Sequence, residues 1–276
     1  MLLADRDEWM RRTGPLYPGL VALCALTRVP WPSGLTPSRD DFTRAAKWFP
    51  AVGAAIGLSL MMVCEFLLWM EFAPSLVAMF AIGACVAATG PGRLRGAVAT
   101  IQRMSPGAAP VDDSLSLAGV LTVVGLLAVQ FGSLLATSTD EWGITLFVSE
   151  VMSYWCVLFL LHIDGDSPTS RADGPRPARS VDRPHFAVGA VSLPALGFGS
   201  AVAGAVALLG LAFAGAVAIL SVILVALAAF ALGVLLRRRF GRLSDESLAT
   251  VACLCGLLVF LAFSVAHPAT MSPWIQ

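Results

Sequence analysis

The chain has 276 residues, of which 57% are hydrophobic and 13% charged, and its mean hydropathy is +0.80. Soluble globular domains are about half apolar and a quarter charged, so this composition excludes an ordinary soluble domain and describes an integral membrane protein. The 18 basic and 18 acidic residues cancel to a formal net charge of +0, which excludes a partner selected by bulk charge, such as nucleic acid.

In chain order, the opening stretch MLLADRDEWMRR carries Asp5, Asp7 and Glu8 and lacks a basic start followed by an apolar run and a cleavage site, so it does not read as a secretory signal. A bilayer-crossing helix needs about 20 mostly apolar residues. Runs that meet this fall at about 51–70, 75–91, 115–137, 142–162, 195–212, 215–236 and 248–266, seven in all, with a turn expected between Gly210 and Gly215. The expected fold is therefore all-α, a polytopic membrane helix bundle of about seven transmembrane spans occupying residues 51–266, with an N-terminal segment 1–50 and a tail 267–276.

With the N-terminus placed in the cytoplasm, the cytoplasmic segments are 1–50, 92–114, 163–194 and 237–247. They hold seven, three, four and four Lys or Arg, which together are all eighteen; the external segments around Glu71, around Asp140 and Glu141, and the external tail hold none. This is the asymmetry that the positive-inside rule requires, and it places the chain in a bacterial inner membrane. Residues 163–185 mix Pro, Gly, Asp and Arg with almost no apolar content and read as a solvated linker. Asp164-Gly165-Asp166 opens like a calcium loop but lacks the further ligands and the closing Glu.

Cys64, Cys85, Cys156, Cys253 and Cys255 lie in apolar runs and Cys24 in a milder one, so free thiols are expected; the Cys253-Leu254-Cys255 spacing is not that of a metal site. Polar residues inside spans are Glu65, near an external end, Gln130, and Glu150, which lies deeper between Ser149 and Ser153. An ionisable side chain within lipid is a functional candidate unless it reaches water, so Glu150 either serves a site or pairs helices. At the cytoplasmic edges Asp112 and Asp113 precede one span and Asp245 and Glu246 another. Such pairs either cap a helix N-terminus or hold a magnesium ion, which needs one or two carboxylates beside substrate phosphates. Residues 89–104, TGPGRLRGAVATIQRM, carry Arg93, Arg95 and Arg103 and no acid. They serve orientation, or they neutralise phosphate oxygens.

The stretch LCALTRVPWPSGLTPSRDDFTRAAKWFPAVGAAIG at residues 23–57 contains Leu26-Thr27-Arg28-Val29-Pro30 and then Phe49, Pro50, Gly53 and Gly57 in the pattern Phe-Pro-x-x-Gly-x-x-x-Gly. In these elements, and in the basic stretch, polar loop and last span from FALGVLLRRRFGRLSDES onward, the chain resembles the cobalamin synthase family, adenosylcobinamide-GDP ribazoletransferases. It departs from the family after Thr89-Gly90, where Arg95, Ala99 and Gln102 stand at the positions of an aspartate-rich motif. Asp113-Ser114 still resembles an Asp-Ser element of the family, and Glu246 or its neighbour Asp245 a C-terminal acid. The resemblance implies magnesium-assisted joining of alpha-ribazole, or its 5′-phosphate, to adenosylcobinamide-GDP with release of GMP. Asp113, Asp245 and Glu246 would then hold the metal and carry catalysis, and Arg28, Arg44, Lys47 and Arg93 would bind substrate phosphates. The alternative is a non-catalytic relative, a membrane scaffold or corrinoid-binding partner. The partners expected are the corrinoid nucleotide, alpha-ribazole, the bilayer, and further copies of the chain or other cobalamin-assembly proteins.

Overall fold

Apolar runs of span length satisfy their backbone hydrogen bonds within themselves, the only arrangement that lipid permits apart from a closed barrel, and all seven expected runs are helical. The structure, a computed structural model, describes residues 2–32, 35, 37–104, 117–165, 191–241 and 243–269. Three helices precede the first span: α1 (Leu2–Thr13), α2 (Tyr17–Leu26) and α3 (Arg39–Ala45). Then come α4 (Phe49–Trp69), α5 (Pro74–Thr89), α6 (Gly92–Met104), α7 (Leu117–Ala136), α8 (Trp142–Gly165), α9 (Leu193–Ala214), α10 (Ala216–Phe240) and α11 (Asp245–Ala266). Six of these helices, α4 and α7 to α11, are each long and apolar enough to cross a membrane, and the bent pair of α5 and α6 brings the number to seven if it is one broken span. The fold is a polytopic all-α membrane bundle. The expected turn near residue 215 falls at Gly215, whose φ of +64° a residue with a side chain rarely adopts.

The segment 1–50 is more than a soluble lead-in. Ser38 and Asp41 form a reciprocal capping box that starts α3, with Ser38 N donating to the Asp41 carboxylate at 2.8 Å. Tyr17, Val21, Ala22 and Leu26 of α2 and Phe42 and Ala45 of α3 are buried in the same core as the spans. A ten-residue helix such as α2 is about 15 Å long, too short to cross, so it caps the bundle at one end.

At the centre stands α8, with 83% of its span window buried against 17% for α7 and 22% for α9. Two glycines of the Phe-Pro-x-x-Gly-x-x-x-Gly pattern let α4 meet it backbone to backbone: a Cβ on Gly53 would lie 2.8 Å from Glu150 O, and one on Gly57 would lie 2.8 Å from Phe147 Cα. Small residues four apart permit such close crossing where lipid supplies no hydrophobic drive between helices. Gly256 of α11 instead makes room for a side chain of α8, since a Cβ there would lie 2.7 Å from Ser153 Oγ.

Both ends of the bundle are tied. At one, Ser138 N donates to His267 O (2.8 Å) and Ala269 N to Ala136 O (2.8 Å), joining the ends of α7 and α11, and His267 Nε2 lies 3.2 Å from Ala214 O at the end of α9. At the other, Arg28 N donates to Ala88 O (3.0 Å), His162 Nδ1 hydrogen-bonds Val191 O (2.7 Å), and Arg237 Nη1 donates to Ile163 O (3.4 Å). Every one of these contacts joins termini that an alternating path brings together, and the described Lys and Arg residues gather at the second end.

The departure from the sequence reading lies between α5 and α6. Residues 92–104, read as the start of a loop, are helical, and the chain bends by 85° between the two helices. Gly90, at φ +77°, makes the break, and α6 then lies across the bundle against α11. A Cβ on Gly96 would meet Glu246 O at 3.0 Å, and the Thr250 hydroxyl sits 3.0 Å from Gly96 O and 2.8 Å from Thr100 Oγ1. Segment 237–247 also narrows, since α10 runs to Phe240 and α11 starts at Asp245.

Replacing Gly53 by Leu forces side-chain atoms into the α8 backbone, and overpacking of this kind costs about 1–3 kcal/mol or more. Detergent-purified Gly53→Leu is expected to unfold at a clearly lower temperature than the parent, whereas Gly83→Ala, where a Cβ meets nothing within 4 Å, is expected to leave the midpoint unchanged.

Candidate functional site

Glu150 is 4% exposed in the middle of α8, and an ionised carboxylate in that position requires a partner. The bend after α5 supplies it. Arg93, in the first turn of α6, turns into the bundle, and its Nη1 lies 3.1 Å from each oxygen of Glu150. The guanidinium carbon is 4.3 Å from the centre of the Tyr154 ring, one helical turn along α8 from Glu150, which adds a cation–π contact. Cys85 of α5 donates its thiol proton to Glu150 Oε1 at 3.2 Å. Three helices are thus joined through one carboxylate.

A narrow cavity adjoins this pair, lined also by Thr89 and Gly90 at the bend, Gln130 of α7, Ser149 and Ser153 of α8 and Cys253 of α11. Its room is about 30 Å³, which suffices for one or two water-sized groups and not for a nucleotide or corrinoid.

The Leu26-Thr27-Arg28 element docks at the same place. Tyr154 Oη donates to Leu26 O at 3.3 Å, and the Arg28 side chain lies over Gly90, where a Cβ would meet Arg28 Cγ at 3.3 Å. Arg28 itself is exposed. Two motif segments that are separate in the sequence, the Leu-Thr-Arg element and the glycine pair of α4, therefore converge on the surroundings of Glu150.

The other anticipated residues are placed differently. Arg44 on α3 is exposed and Lys47 half-buried, the latter in the short 3₁₀ turn Ala46–Trp48 that packs beside Gly199 of α9. Among the described residues, no hydrogen bond or ion pair joins either to Arg28 or Arg93. Asp245 and Glu246 form the first turn of α11 behind Ser244, whose hydroxyl accepts from Ser247 N at 3.3 Å. Glu246 is paired with Arg103 of α6 at 2.6 Å on the surface. Asp113 lies outside the described residues, as do Asp112 and Asp166. Glu65 packs against Gly143 at the acidic end, away from the cavity.

Among the described residues, no three His, Cys, Asp or Glu side chains come together as a metal site. The Glu246 carboxylate faces the Arg103 guanidinium, so a magnesium ion on the described part of the anticipated set would have to displace that arginine. Of the positions where the acidic motif would stand, Arg95 is exposed and Ala99 buried on α6. All six cysteines are free.

The role of Arg93 was not legible as an inward one, because it stands in a cationic stretch next to two other arginines. The available signal was Glu150 itself, whose depth demanded a cation, together with the glycines that flank Arg93.

The architecture is that of a multi-pass membrane bundle with a charged cavity at a broken helix. Comparison with known proteins narrows this further. Residues 19–98, from α2 into α6, match the family described as cobalamin-5-phosphate synthase. A Brevibacillus brevis protein named adenosylcobinamide-GDP ribazoletransferase is 28% identical over 151 residues, covering 52% of this chain and 61% of that relative. Both are similarities to the cobalamin synthase family over part of the chain, and the chain spans less than two thirds of the length of the relative it matches. No solved structure matches the chain.

Removing one partner of a buried ion pair leaves an uncompensated charge and costs about 3–5 kcal/mol, whereas replacing both with apolar residues costs far less. Arg93→Met and Glu150→Leu are each expected to destabilise the purified protein by that order, with the double variant recovering most of the loss in a denaturation series.

Proposed function

We propose that the protein is a ribazoletransferase of the cobalamin synthase type. It joins alpha-ribazole, or its 5′-phosphate, to adenosylcobinamide-GDP and releases GMP at the cationic end of the bundle, which faces the cytoplasm of a bacterial inner membrane. The observation that carries this reading is that the Leu26-Thr27-Arg28 element and the glycines of α4, both within the segment that matches the family, pack on α8 beside Glu150 and Tyr154. Transfer at phosphorus needs cations positioned against phosphate oxygens. Arg28, Arg44 and Lys47 are accessible for that task, and Arg93, already balanced by Glu150, shapes the cavity beside them. Magnesium on Asp113, Asp245 and Glu246 would require Glu246 to leave Arg103.

A second reading has its own observation. The acidic motif is replaced on α6, and a carboxylate that could serve a metal faces an arginine instead, which favours a non-catalytic relative that binds the corrinoid nucleotide without turnover.

Purified protein supplied with adenosylcobinamide-GDP and alpha-ribazole is expected to release GMP, and Arg28→Gln to raise KM by roughly tenfold or more, the loss of a charge-assisted contact to phosphate, with normal membrane insertion. Binding of the corrinoid nucleotide with no GMP at any magnesium concentration would establish the second reading instead.

A further inference from the structure

Tyr154 is 3% exposed on α8, and its two ends have different partners. The Arg93 guanidinium lies over its ring, while its hydroxyl donates to Leu26 O at 3.3 Å, 128 positions away in the chain. Its neighbours Ser149 and Ser153 donate to carbonyls of α8 itself, at 3.0 and 2.7 Å. A buried phenol needs an acceptor, and this one finds it on another element. Leu26 O ends α2, where carbonyls lack a partner within the helix, so Tyr154 completes that helix from α8.

Two residues after Leu26 comes Arg28. The chain turns extended at Thr27 (φ −123°, ψ 175°), and the Thr27 hydroxyl donates to Leu23 O at 2.6 Å and accepts from Val29 N at 3.2 Å. Arg28 N donates to Ala88 O, in the last turn of α5, at 3.0 Å. The backbone at Arg28 is therefore fixed from α8 on one side and from α5 on the other. Its exposed side chain crosses Gly90, where a Cβ would meet Cγ at 3.3 Å and Nε at 3.4 Å. A free arginine samples many rotamers. A fixed backbone limits the region this one reaches, and recognition of a phosphate at a set place requires such a limit.

We propose that Tyr154 is a positioning residue, whose hydroxyl, through Leu26 O, sets where Arg28 presents its guanidinium to the phosphates of the corrinoid nucleotide. The proposal rests on the ribazoletransferase reading, in which Arg28 contacts substrate phosphate, and it adds the residue that places Arg28. Being buried, Tyr154 acts through Arg28 and not on the substrate. The alternative is a tie that only packs α2 on α8, and the two differ in what removal of the hydroxyl does to binding.

Tyr154→Phe removes the hydroxyl and keeps the ring on which Arg93 lies. In the full-length protein in detergent, the dissociation constant of adenosylcobinamide-GDP, measured by equilibrium dialysis, is expected to rise about three- to tenfold, the range of one hydrogen bond. Binding of alpha-ribazole, which carries no phosphate, is expected to stay unchanged, and in a GMP-release assay KM for the nucleotide rises while kcat holds. In an Arg28→Gln background the same change is expected to add less than about twofold, because residues that act through one another are not additive. Unchanged nucleotide binding by Tyr154→Phe, equal weakening of both ligands, or the full factor again in the Arg28→Gln background would overturn the positioning role and leave the transferase reading in place. If Tyr154→Phe does not fold, 4-fluorophenylalanine at 154, which restores the volume without a donor, replaces it; failure of both to fold would make the hydroxyl structural and overturn the proposal as well. A native protein that binds no adenosylcobinamide-GDP would remove both readings together.

Discussion

An arginine and a glutamate that meet inside an apolar bundle constrain everything around them. Neither ion can be moved into lipid without the other, so the Arg93–Glu150 contact dictates that α6 begins within the bundle and not at its surface. That requirement accounts for the short α5, the 85° break and the left-handed Gly90 that makes the break. It also explains why α8 is the most enclosed helix. Its carboxylate must be screened from lipid on every side by α4, α5 and α11, and α4 does this at distances that only glycine at 53 and 57 allows.

The two acidic side chains on the partners of α6 have contrasting environments. Glu150 is buried and shared by Arg93 and Cys85, whereas Glu246 faces Arg103 at a surface where both side chains are about two-fifths exposed. Surface pairs are worth little and exchange readily; the buried pair is a fixed element of structure. The helix that carries Arg93, Arg95 and Arg103 is thus anchored deeply at its start and held loosely at its end. The hydrogen bonds and close approach between Gly96, Thr100 and Thr250 keep α6 on α11 between those two points.

The membrane class, the seven apolar runs and the gathering of cations at one end were legible because hydropathy and charge placement act locally: each run must bury its own backbone, and each loop carries its own arginines. Glu150 also stood out, since no neighbouring water could explain it. Arg93 did not, because a cation in a glycine-rich stretch beside Arg95 and Arg103 looks like any orienting residue. The capping role of the residues before α11 was readable from Ser244 and the acids after it, but the Arg103 partner of Glu246 was not.

By itself the sequence determined that this is a membrane bundle, which end bears the positive charge, and which short elements resemble a known family, because these depend on composition and on spacing within a few residues. Only the tertiary structure decided that Leu26, Arg28, Gly53, Cys85, Gly90, Arg93, Glu150 and Tyr154 share one site. The pairing of residues 57 positions apart, as Arg93 and Glu150 are, follows from how helices cross and where one breaks. Those depend on the simultaneous packing of α4, α5, α6, α8 and α11, and no local pattern encodes that.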